Sequence, residues 1–352
     1  MAKKVYVGLS GGVDSSVTAA LLKEQGYDVT GVFMKNWTKD LPGFPCPWKE
    51  DYQDAKRVAV QLGIPFKVYD FQTKYKQLVV DYMIDEYKAG RTPNPDIVCN
   101  QEVKFKLFLN AALKDGGDLI ATGHYARTKN SQLLSAKNKD KDQTYFLYRV
   151  SKEALSKSLF PIGEFTDKKQ VRALAKKFGL VTAAKKDSQG ICFVGQVGIK
   201  EFLSKYVKTK PGKIIDDSLS SERKTIGQHD GAIFYTIGQR HGLDVGGGLP
   251  YYVTGKNMKK NEVYVTTNLD DKSLWAKELK LTDVHWIGEQ PLQGRTLQVR
   301  TRHRAPLVEG KLNKLSNGRW HVHLKDEVRA STPGQSVVIY DNQLVLGGGV
   351  IY

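Results

Sequence analysis

A glycine- and serine-rich stretch near the start of the chain has the residue types that bind phosphate. Gly8-Leu9-Ser10-Gly11-Gly12-Val13-Asp14-Ser15-Ser16 lies between a predicted first strand and a predicted first helix. Glycines let backbone N–H groups approach a pyrophosphate closely, and hydroxyls at the positive end of a helix add donors. No G-K-[ST] follows, so the stretch is not a Walker loop. An incidental glycine-rich turn is the alternative, but this stretch at the first strand of an α/β domain favours a nucleotide.

Two cysteines lie where a thiol could react. Cys99 follows RTPNPDIV, a proline-containing loop predicted to end just before a helix, and a helix N-terminus stabilises a thiolate. Cys192 lies in DSQGICFVG, a glycine-containing turn before an apolar run. Either cysteine alone is better explained as a small buried residue. Beside a nucleotide loop the pair indicates sulfur transfer, which needs one thiol to carry sulfur and one to release it through disulfide formation.

A third candidate is a group of arginines in QVRTRHR. Arg300, Arg302 and Arg304 alternate along a predicted strand, so they are expected to share one face. Such a stripe could contact the phosphates of a nucleic acid. A solvated edge strand protected by charge is the alternative.

Composition agrees with a nucleic-acid partner. The 352 residues include 54 Lys and Arg against 37 Asp and Glu, a formal charge of +17. That excess suits a polyanion, although a merely basic surface would give the same number. Cys46, Cys99 and Cys192 are the three cysteines, and they form no C-x-x-C pair. This argues against a disulfide framework and against a four-thiolate zinc site.

Targeting signals are not apparent. No apolar run is long enough to span a bilayer. The start MAKKVYVGLSGG has no apolar region followed by a small-residue cleavage site, as a secretory signal would have. We therefore expect a cytoplasmic protein that does not bind a membrane.

The elements that must position these residues alternate in the first half of the chain. Strands are predicted over 5–9, 28–34, 66–71 and 118–124, and helices over 14–25, 50–62, 73–88 and 101–113. Strand–helix alternation predicts a parallel sheet with helices on both faces. Ligands in such sheets bind at the carboxyl ends of the strands, where the glycine-rich stretch lies.

The pattern of predicted elements changes after about residue 140. Residues 141–180 have a helical pattern, clearest over 167–178 and ending at Gly179. Short runs such as GKIID, GAIFYTIG, YYVTGK and EVYVTT then predict strands, and more strands follow from about 278. We predict a nucleotide-binding catalytic domain over 1–198, a central β-rich domain over 199–274 and a C-terminal β-barrel over 275–352.

A resemblance sharpens these expectations. The glycine-rich stretch resembles the PP-loop of the ATP pyrophosphatases, which have an adenine nucleotide alpha hydrolase-like fold and adenylate a substrate oxygen. Over nearly its whole length the chain resembles the tRNA-specific 2-thiouridylase family. The matching stretches are GLSGGVDSSV, GVFMKNW, TPNPDIVCN, TGHYAR, KDQTYFLY, DSQGICFVG, YTIGQRHGL, TPGQSVVIYD and LGGG.

The resemblance implies an activity and its requirements. The wobble uridine of tRNA would be adenylated on its C2 oxygen, and sulfur from a cysteine persulfide would then give 2-thiouridine, AMP and pyrophosphate. ATP and Mg²⁺ are the implied cofactors. The implied partners are tRNAs for Lys, Glu and Gln and a persulfide donor such as a cysteine desulfurase or a sulfur relay protein.

Individual residues also take roles by resemblance. Cys192 would carry the persulfide, Cys99 would be the nucleophile and resolving thiol, and Asp96 would be the acid/base, while Cys46 has no role. The implied ATP site comprises Gly8, Leu9, Ser10, Gly11, Gly12, Val13, Asp14, Ser15, Met34 and Gly123. The implied tRNA contacts are Asn94, Pro95, Asp96, His124, Lys141, Asp142, Gln143, Arg302, His303 and Gln335. Many relatives have tyrosine where His303 stands, which weakens a stacking contact there.

Other hypotheses stay open from the sequence. A different PP-loop adenylating enzyme, such as an amidotransferase-like synthetase or a lysidine-type tRNA ligase, would use the same loop but would not require Cys99 and Cys192. An iron–sulfur thiolation enzyme could use three thiols with Asp96 as a fourth ligand. A non-enzymatic RNA-binding module would explain the charge and leave the loop idle. Persulfide attack and release of a hydrogen-sulfide-like species are not distinguished.

Overall fold

The first part of the chain forms a parallel sheet. The structure is a computed structural model that describes residues 2–40, 46–187, 198–218, 223–246 and 248–352. The strands before residue 160 are β1 (Lys4–Gly8), β2 (Asp28–Lys35), β3 (Phe66–Asp70), β4 (Leu119–Ala121), β5 (Ala126–Lys129), β6 (Gln132–Ser135) and β7 (Ser158–Leu159). Parallel pairing gives the order β3-β2-β1-β4-β7. β1 is central, since Val7 lies opposite both Gly31 and Ala121.

Helices cover both faces of this sheet. The helices in this part of the chain are α1 (Val13–Glu24), α2 (Trp48–Leu62), α3 (Gln72–Tyr75), α4 (Asp81–Lys88), α5 (Pro95–Val98), α6 (Phe108–Lys114), α7 (Lys152–Ser156) and α8 (Lys168–Lys177). α2 buries Ala55, Val58 and Ala59 at helical spacing, and its chain turns away at Gly63 in the left-handed region. Apolar stripes of this kind bury against the sheet. The predicted α/β class is confirmed.

Two helical stretches depart from α geometry. Lys76–Val80 joins α3 to α4, and Cys99–Leu107 joins α5 to α6, each with π-helical hydrogen bonding. The helix predicted over 101–113 therefore exists, but it is continuous with a helix that begins at Pro95. π-helical turns are frequent at functional sites.

The segment from 141 to 180 is less helical than predicted. It contains α7 and α8, but also the short strand β7 and two 3-10 turns. α8 agrees with the prediction, because Asp167 and Gln170 form a capping box and Gly179 has φ +66°. β7 was missed because two residues give no detectable alternation.

A central β-rich domain follows α9 (Ile199–Leu203). Its strands are β8 (Gly212–Asp216), β9 (Lys224–His229), β10 (Tyr252–Asn257) and β11 (Glu262–Thr266), in the order β10-β11-β8-β9. Ile214, Val253 and Val263 form part of its core. The strand predicted in GAIFYTIG is wrong, because Ala232–Phe234 is a 3-10 turn. Ala232 packs in the core of the central domain, whereas Ile233 packs in a cluster with residues of the first domain.

The last part of the chain closes into a barrel, as predicted. Its strands are β12 (Trp275–Trp286), β13 (Thr296–Arg300), β14 (Val308–Lys314), β15 (Trp320–Arg329), β16 (Ser336–Asp341) and β17 (Leu344–Ile351). They run in the order β12-β15-β14-β13-β16-β17, and pairing of β12 with β17 closes the ring. Val299, Val322 and Ile339 lie in its core.

The barrel and the first domain share one hydrogen-bonded sheet. β5 and β6 form a hairpin, and Leu134 of β6 pairs with Leu344 of β17. The sequence did not predict this hairpin as part of the barrel. Within the described ranges, every helix is too short or too polar to cross a membrane.

A partly buried lysine of the central domain, Lys256, predicts that the stability of the fold depends on pH. The Lys256 ammonium donates to the Tyr235 carbonyl at 2.7 Å, and burial lowers the pKa of Lys256 from 10.5 to about 8. Between these values the unfolded chain binds more protons than the folded one, so stability rises with pH. We expect wild type to gain up to about 3 kcal/mol relative to Lys256→Met between pH 8 and 10.5. Denaturant unfolding at several pH values measures the free energy of unfolding of both proteins. If this free energy changes with pH equally in wild type and Lys256→Met across this window, the lowered pKa of Lys256 is contradicted.

Candidate nucleotide and sulfur-transfer site

The glycine-rich stretch forms a tight loop between β1 and α1. Gly11 has φ +74°, and a Cβ atom there would lie 2.4 Å from the Asp51 carbonyl oxygen, so glycine is required. The Ser10 N–H donates to Ser15 Oγ at 3.2 Å, and Ser15 Oγ donates to the Gly12 carbonyl at 3.1 Å. Within the described residues no side chain caps α1 at Gly12. The first N–H groups of the helix therefore suit an anion.

The other predicted nucleotide residues lie at the same edge of the sheet. Gly123 follows β4, and a Cβ atom there would lie 2.7 Å from the Ser15 nitrogen. Met34 is near the end of β2, and its Cε would be 2.9 Å from a Cβ at Gly8. The fold thus brings the loop, Met34 and Gly123 together at the carboxyl ends of neighbouring strands, where α/β sheets bind ligands.

A lysine distant in sequence contacts this loop. Lys168, at the start of α8, donates to the two carboxylate oxygens of Asp14 at 2.6 and 2.7 Å. Its side chain is 13% exposed, and its ammonium lies 5.5 Å from the Tyr125 ring centroid. The Tyr125 hydroxyl also donates to Asp14 at 3.0 Å, and burial and the Asp14 charge raise the pKa of Tyr125. Sequence reasoning missed Lys168, because no local motif marks it.

Asp187 extends this contact into a network. Its carboxylate lies 3.0 Å from the ammonium groups of Lys168 and Lys141 and 2.9 Å from the Arg172 guanidinium. Burial opposes ionisation of Asp187, but hydrogen bonds from Lys141 and Lys168 prevail and hold its pKa below the ordinary value. The predicted tRNA residue Lys141 is therefore connected to the nucleotide loop through Asp187 and Lys168. Cys192 lies outside the described residues.

Cys99 occupies a buried position after one turn of helix. Asn94 occupies the N-cap position of α5, Asp96 lies in the first turn, and Cys99 follows as the first π-helical residue, 2% exposed. The expectation that Cys99 directly precedes a helix is wrong by one turn, since the helix begins at Pro95. Cys99 belongs to an apolar cluster with Trp37 and Tyr75. Its thiol must become accessible before it can react.

Cys46 and Asn100 lie near Cys99, one in the same apolar cluster and the other next to it in the chain. Cys46 packs against the same cluster, and burial raises the pKa of its thiol. Asn100 is 2% exposed, and its amide donates to the Phe146 carbonyl at 3.1 Å. Asn100 Oδ1 is buried without a hydrogen-bond partner. Among the described residues, no group of three or more His, Cys, Asp and Glu side chains is arranged to hold a metal ion.

The predicted arginine stripe does not exist. β13 ends at Arg300, and the chain then turns, with Arg304 at φ +64°, so the alternation of side chains stops. Arg300 is paired with buried Asp142 at 3.1 Å. Arg302 donates to Gln335 Oε1 at 2.9 Å and to the Ala330 carbonyl at 2.7 Å. Arg304 alone of the three is exposed on the described surface.

The remaining predicted tRNA residues are mostly engaged within the protein. His124 is buried, and its ring lies 2.8 Å from Thr122 Oγ1, while burial and Lys104 hold its pKa well below the usual range. Gln143 Oε1 accepts from the Tyr125 N–H at 2.9 Å. The His303 ring lies 4.5 Å from that of Phe146, and burial lowers the pKa of His303. Their roles toward RNA stay predictions.

Family models match three consecutive parts of the chain. Residues 3–196 match the tRNA methyl transferase HUP domain, and residues 200–267 match the tRNA methyl transferase PRC-barrel domain. Residues 276–351 match the aminomethyltransferase beta-barrel domain. These ranges follow the order of the sheet domain, the central domain and the barrel.

Curated relatives align along the same length. The tRNA-specific 2-thiouridylase MnmA of Methylobacillus flagellatus is 47% identical over 100% of this chain and 99% of that protein. The tRNA-specific 2-thiouridylase MnmA of Halalkalibacterium halodurans is 48% identical over 99% of this chain and 94% of that protein. The Bacillus subtilis protein of the same name is 46% identical over 99% and 94%.

Proposed function

The chain belongs to the tRNA-specific 2-thiouridylase family, and from this premise we propose that it replaces the C2 oxygen of the wobble uridine in tRNA with sulfur. The observation that carries this proposal is the tight loop Gly8–Ser15, with Gly123 against it and Lys168 paired to its Asp14. Such a loop suits the ATP that this sulfur transfer requires. Mass spectrometry of tRNA nucleosides after incubation with ATP and a persulfide donor tests the function directly.

ATP is needed because the C2 carbonyl of uracil is a poor electrophile without a leaving group. The uracil O2 attacks the α-phosphorus of ATP, the bond to the bridging oxygen breaks, and pyrophosphate leaves. Asp96 takes the proton that uracil N3 loses as O2 attacks. The loop N–H groups and the Lys168 ammonium stabilise the charge on the phosphates.

Magnesium fits the donor set of this site. Mg²⁺ is held in proteins by one or two carboxylates together with phosphate oxygens and waters, and Asp14 is the carboxylate on the loop. When bound it supplies charge neutralisation on the phosphates.

Sulfur transfer follows adenylation. The terminal sulfur of the Cys192 persulfide attacks C2, the C2–O bond breaks, and AMP departs. The Cys99 thiolate then attacks Cys192 Sγ, the persulfide bond breaks, and its electron pair stays on the sulfur attached to C2. The products are 2-thiouridine and a Cys99–Cys192 disulfide, which a thiol reductant must reduce with two electrons before the next turnover.

We propose the partners that the resemblance implies. The tRNAs would be those for Lys, Glu and Gln, and a cysteine desulfurase or sulfur relay protein would load Cys192. The formal charge of +17 supports association with RNA.

Lys168 gives a test of the adenylation site. Lys168→Met is expected to slow tRNA-dependent pyrophosphate release by roughly 100-fold or more, because it removes a preorganised cation beside the phosphates. Lys169→Met is the matched control, since Lys169 is the exposed neighbour on the same helix. Pyrophosphate release is measured for both variants at saturating tRNA. Near wild-type rates for Lys168→Met would remove Lys168 from the nucleotide site.

A further inference from the structure

Four arginines from two domains form a group that is here called the arginine cluster. They are Arg240 in a loop of the central domain and Arg302, Arg304 and Arg329 at one end of the barrel. Arg240, Arg304 and Arg329 are exposed, and Arg302 is partly buried. In the described parts of the chain none of the four pairs with a carboxylate, whereas most other arginines do. The cluster is therefore a region of positive charge that the protein itself does not neutralise.

The fold brings the segments that carry these arginines together. β13 and β15 both run antiparallel to β14, so the chain leaves both strands at the same end of the barrel. There the Arg302 guanidinium donates to the Ala330 carbonyl at 2.7 Å and to the Ile237 carbonyl of the central domain at 3.3 Å. Gly238 packs against the same barrel segment, since a Cβ atom at Gly238 would lie 2.4 Å from Ala330 Cβ. Two domains therefore contribute arginines to one surface.

The contacts of Arg302 leave its positive charge uncompensated. Its acceptors are neutral oxygens, namely the two carbonyls together with Gln335 Oε1 at 2.9 Å and Thr332 Oγ1 at 3.4 Å. Burial and the nearby charge of Arg329 lower the pKa of Arg302. Guanidinium groups that repel each other in this way are stabilised by an anion, and phosphate oxygens match their donors.

The loop that carries Arg240 has a fixed backbone. Gln239 Oε1 accepts from the Thr236 N–H at 3.1 Å, and Gln239 Nε2 donates to the His241 carbonyl at 2.9 Å. One side chain thus braces the loop on both sides of Arg240, whose own side chain is exposed. A charged group on a backbone that is already ordered loses less conformational freedom when it binds a ligand.

The arginine cluster adjoins the segment that resemblance assigns to the target base. The hydroxyls of Thr92 and Thr236 lie 3.1 Å apart, and the Thr92 N–H donates to the Pro333 carbonyl at 2.8 Å. Asn94 and Asp96 follow Thr92 closely in the chain. Nucleotides that flank a uridine held at these residues would therefore lie beside the cluster.

We propose that the arginine cluster binds phosphates of the anticodon arm of tRNA, with Arg240 and Arg329 as contacts in addition to Arg302. This proposal rests on the proposed function for its substrate. It extends the tRNA contacts that resemblance implies at the barrel to the loop of the central domain. Contacts of this kind hold the backbone and do not read the base sequence.

The salt dependence of tRNA affinity tests this surface. An arginine that neutralises one phosphate contributes about 0.7–0.9 to the slope of log affinity against log salt. Arg240→Gln and Arg329→Gln are each expected to reduce the slope for an unmodified lysine tRNA by about this amount. The kcat at saturating tRNA should stay at the wild-type value. The isolated anticodon stem-loop should show the same reductions, because the phosphates belong to that arm.

Arg319→Gln is the matched control. Arg319 directly precedes β15, at the opposite end of this strand from Arg329. The Arg319 guanidinium lies 4.2 Å from the Tyr352 ring centroid, and that of Arg329 lies 4.7 Å from the Tyr252 ring centroid. The two glutamine variants therefore lose the same charge and the same kind of ring contact, but Arg319→Gln should keep the wild-type slope. Arg240→Lys retains the charge and should keep it too.

Each outcome supports or contradicts a defined part of the proposal, once circular dichroism has confirmed that the variants are folded. An unchanged slope in Arg240→Gln or Arg329→Gln would remove that arginine from the surface, and unchanged slopes in both would overturn the proposal. An equal reduction in Arg319→Gln would also overturn it, because the slope would then follow net charge alone.

Two further results concern the ligand. Reductions that occur with full-length tRNA but not with the stem-loop would overturn the assignment to the anticodon arm. Wild-type protein that shows the expected slopes but forms no 2-thiouridine would overturn the proposed function and leave the binding surface in place.

Discussion

Replacing Cys99 with serine is expected to stop multiple-turnover formation of 2-thiouridine while ATP affinity stays near the wild-type value. A hydroxyl cannot attack the Cys192 sulfur to release the product, because its oxygen is a far weaker nucleophile toward sulfur than a thiolate. Nucleotide binding should persist, since Cys99 packs in an apolar cluster and not in the phosphate loop. Nucleoside mass spectrometry measures turnover, and calorimetry with ATP measures affinity.

Replacing Cys192 and replacing Cys99 should block different steps of the reaction. Cys192→Ser should accept no labelled sulfur from a persulfide donor, whereas Cys99→Ser should still accept it, because loading does not use the resolving thiol. Cys46→Ser is the matched control, since Cys46 packs against the same cluster as Cys99 and should support full turnover. After one round without reductant, peptide mapping of the wild-type protein should find a Cys99–Cys192 disulfide.

Two results would contradict these separate roles of Cys192 and Cys99. Full multiple turnover by Cys99→Ser would make Cys99 an inert buried residue and would favour a released hydrogen-sulfide-like species. An iron–sulfur chromophore required for activity would replace the persulfide mechanism altogether.

The parts of the fold that the sequence could predict are those with local signals. β1, β2 and β3 are β-branched runs bounded by helical patterns, and alternation of this kind predicts a parallel sheet. The glycine-rich loop between β1 and α1 was predictable for the same reason, because its residue types and its place in the strand–helix order agree. The barrel was predictable from closely spaced short strands.

The parts that escaped prediction are contacts between distant segments. Lys168 contacts Asp14 across 154 residues of sequence, and helical periodicity says nothing about such a partner. The alternation in QVRTRHR predicts one strand that carries Arg300, Arg302 and Arg304, but β13 ends at Arg300. A turn that no periodicity describes then directs Arg302 toward Gln335 and the Ala330 carbonyl. The hairpin β5–β6 pairs with β17 only because the chain folds back.

Gly123→Ala is the other change with a very large expected effect, namely loss of measurable ATP binding. A Cβ atom at Gly123 would lie 2.7 Å from the Ser15 nitrogen and 2.8 Å from the Asp14 carbonyl carbon. Both are backbone atoms in the first turn of α1, so no side-chain rotation can relieve the overlap. The first turn must therefore move away from β4, and the N–H groups that would meet the phosphates move with it. Calorimetric titration with ATP measures the effect.

The matched control separates this displacement from a general effect of adding a methyl group. Gly288→Ala places its Cβ where no atom lies within 4 Å, so its ATP affinity should equal that of wild type. Overpacking at Gly123 should also lower the free energy of unfolding by about 1–3 kcal/mol, which leaves the protein folded for the titration. Gly123→Ala could show the expected loss in the free energy of unfolding and still bind ATP with wild-type affinity. In that case the first turn of α1 can move without weakening ATP binding. The phosphates would in that case depend on Lys168 and the loop residues before α1, and not on the helix N-terminus.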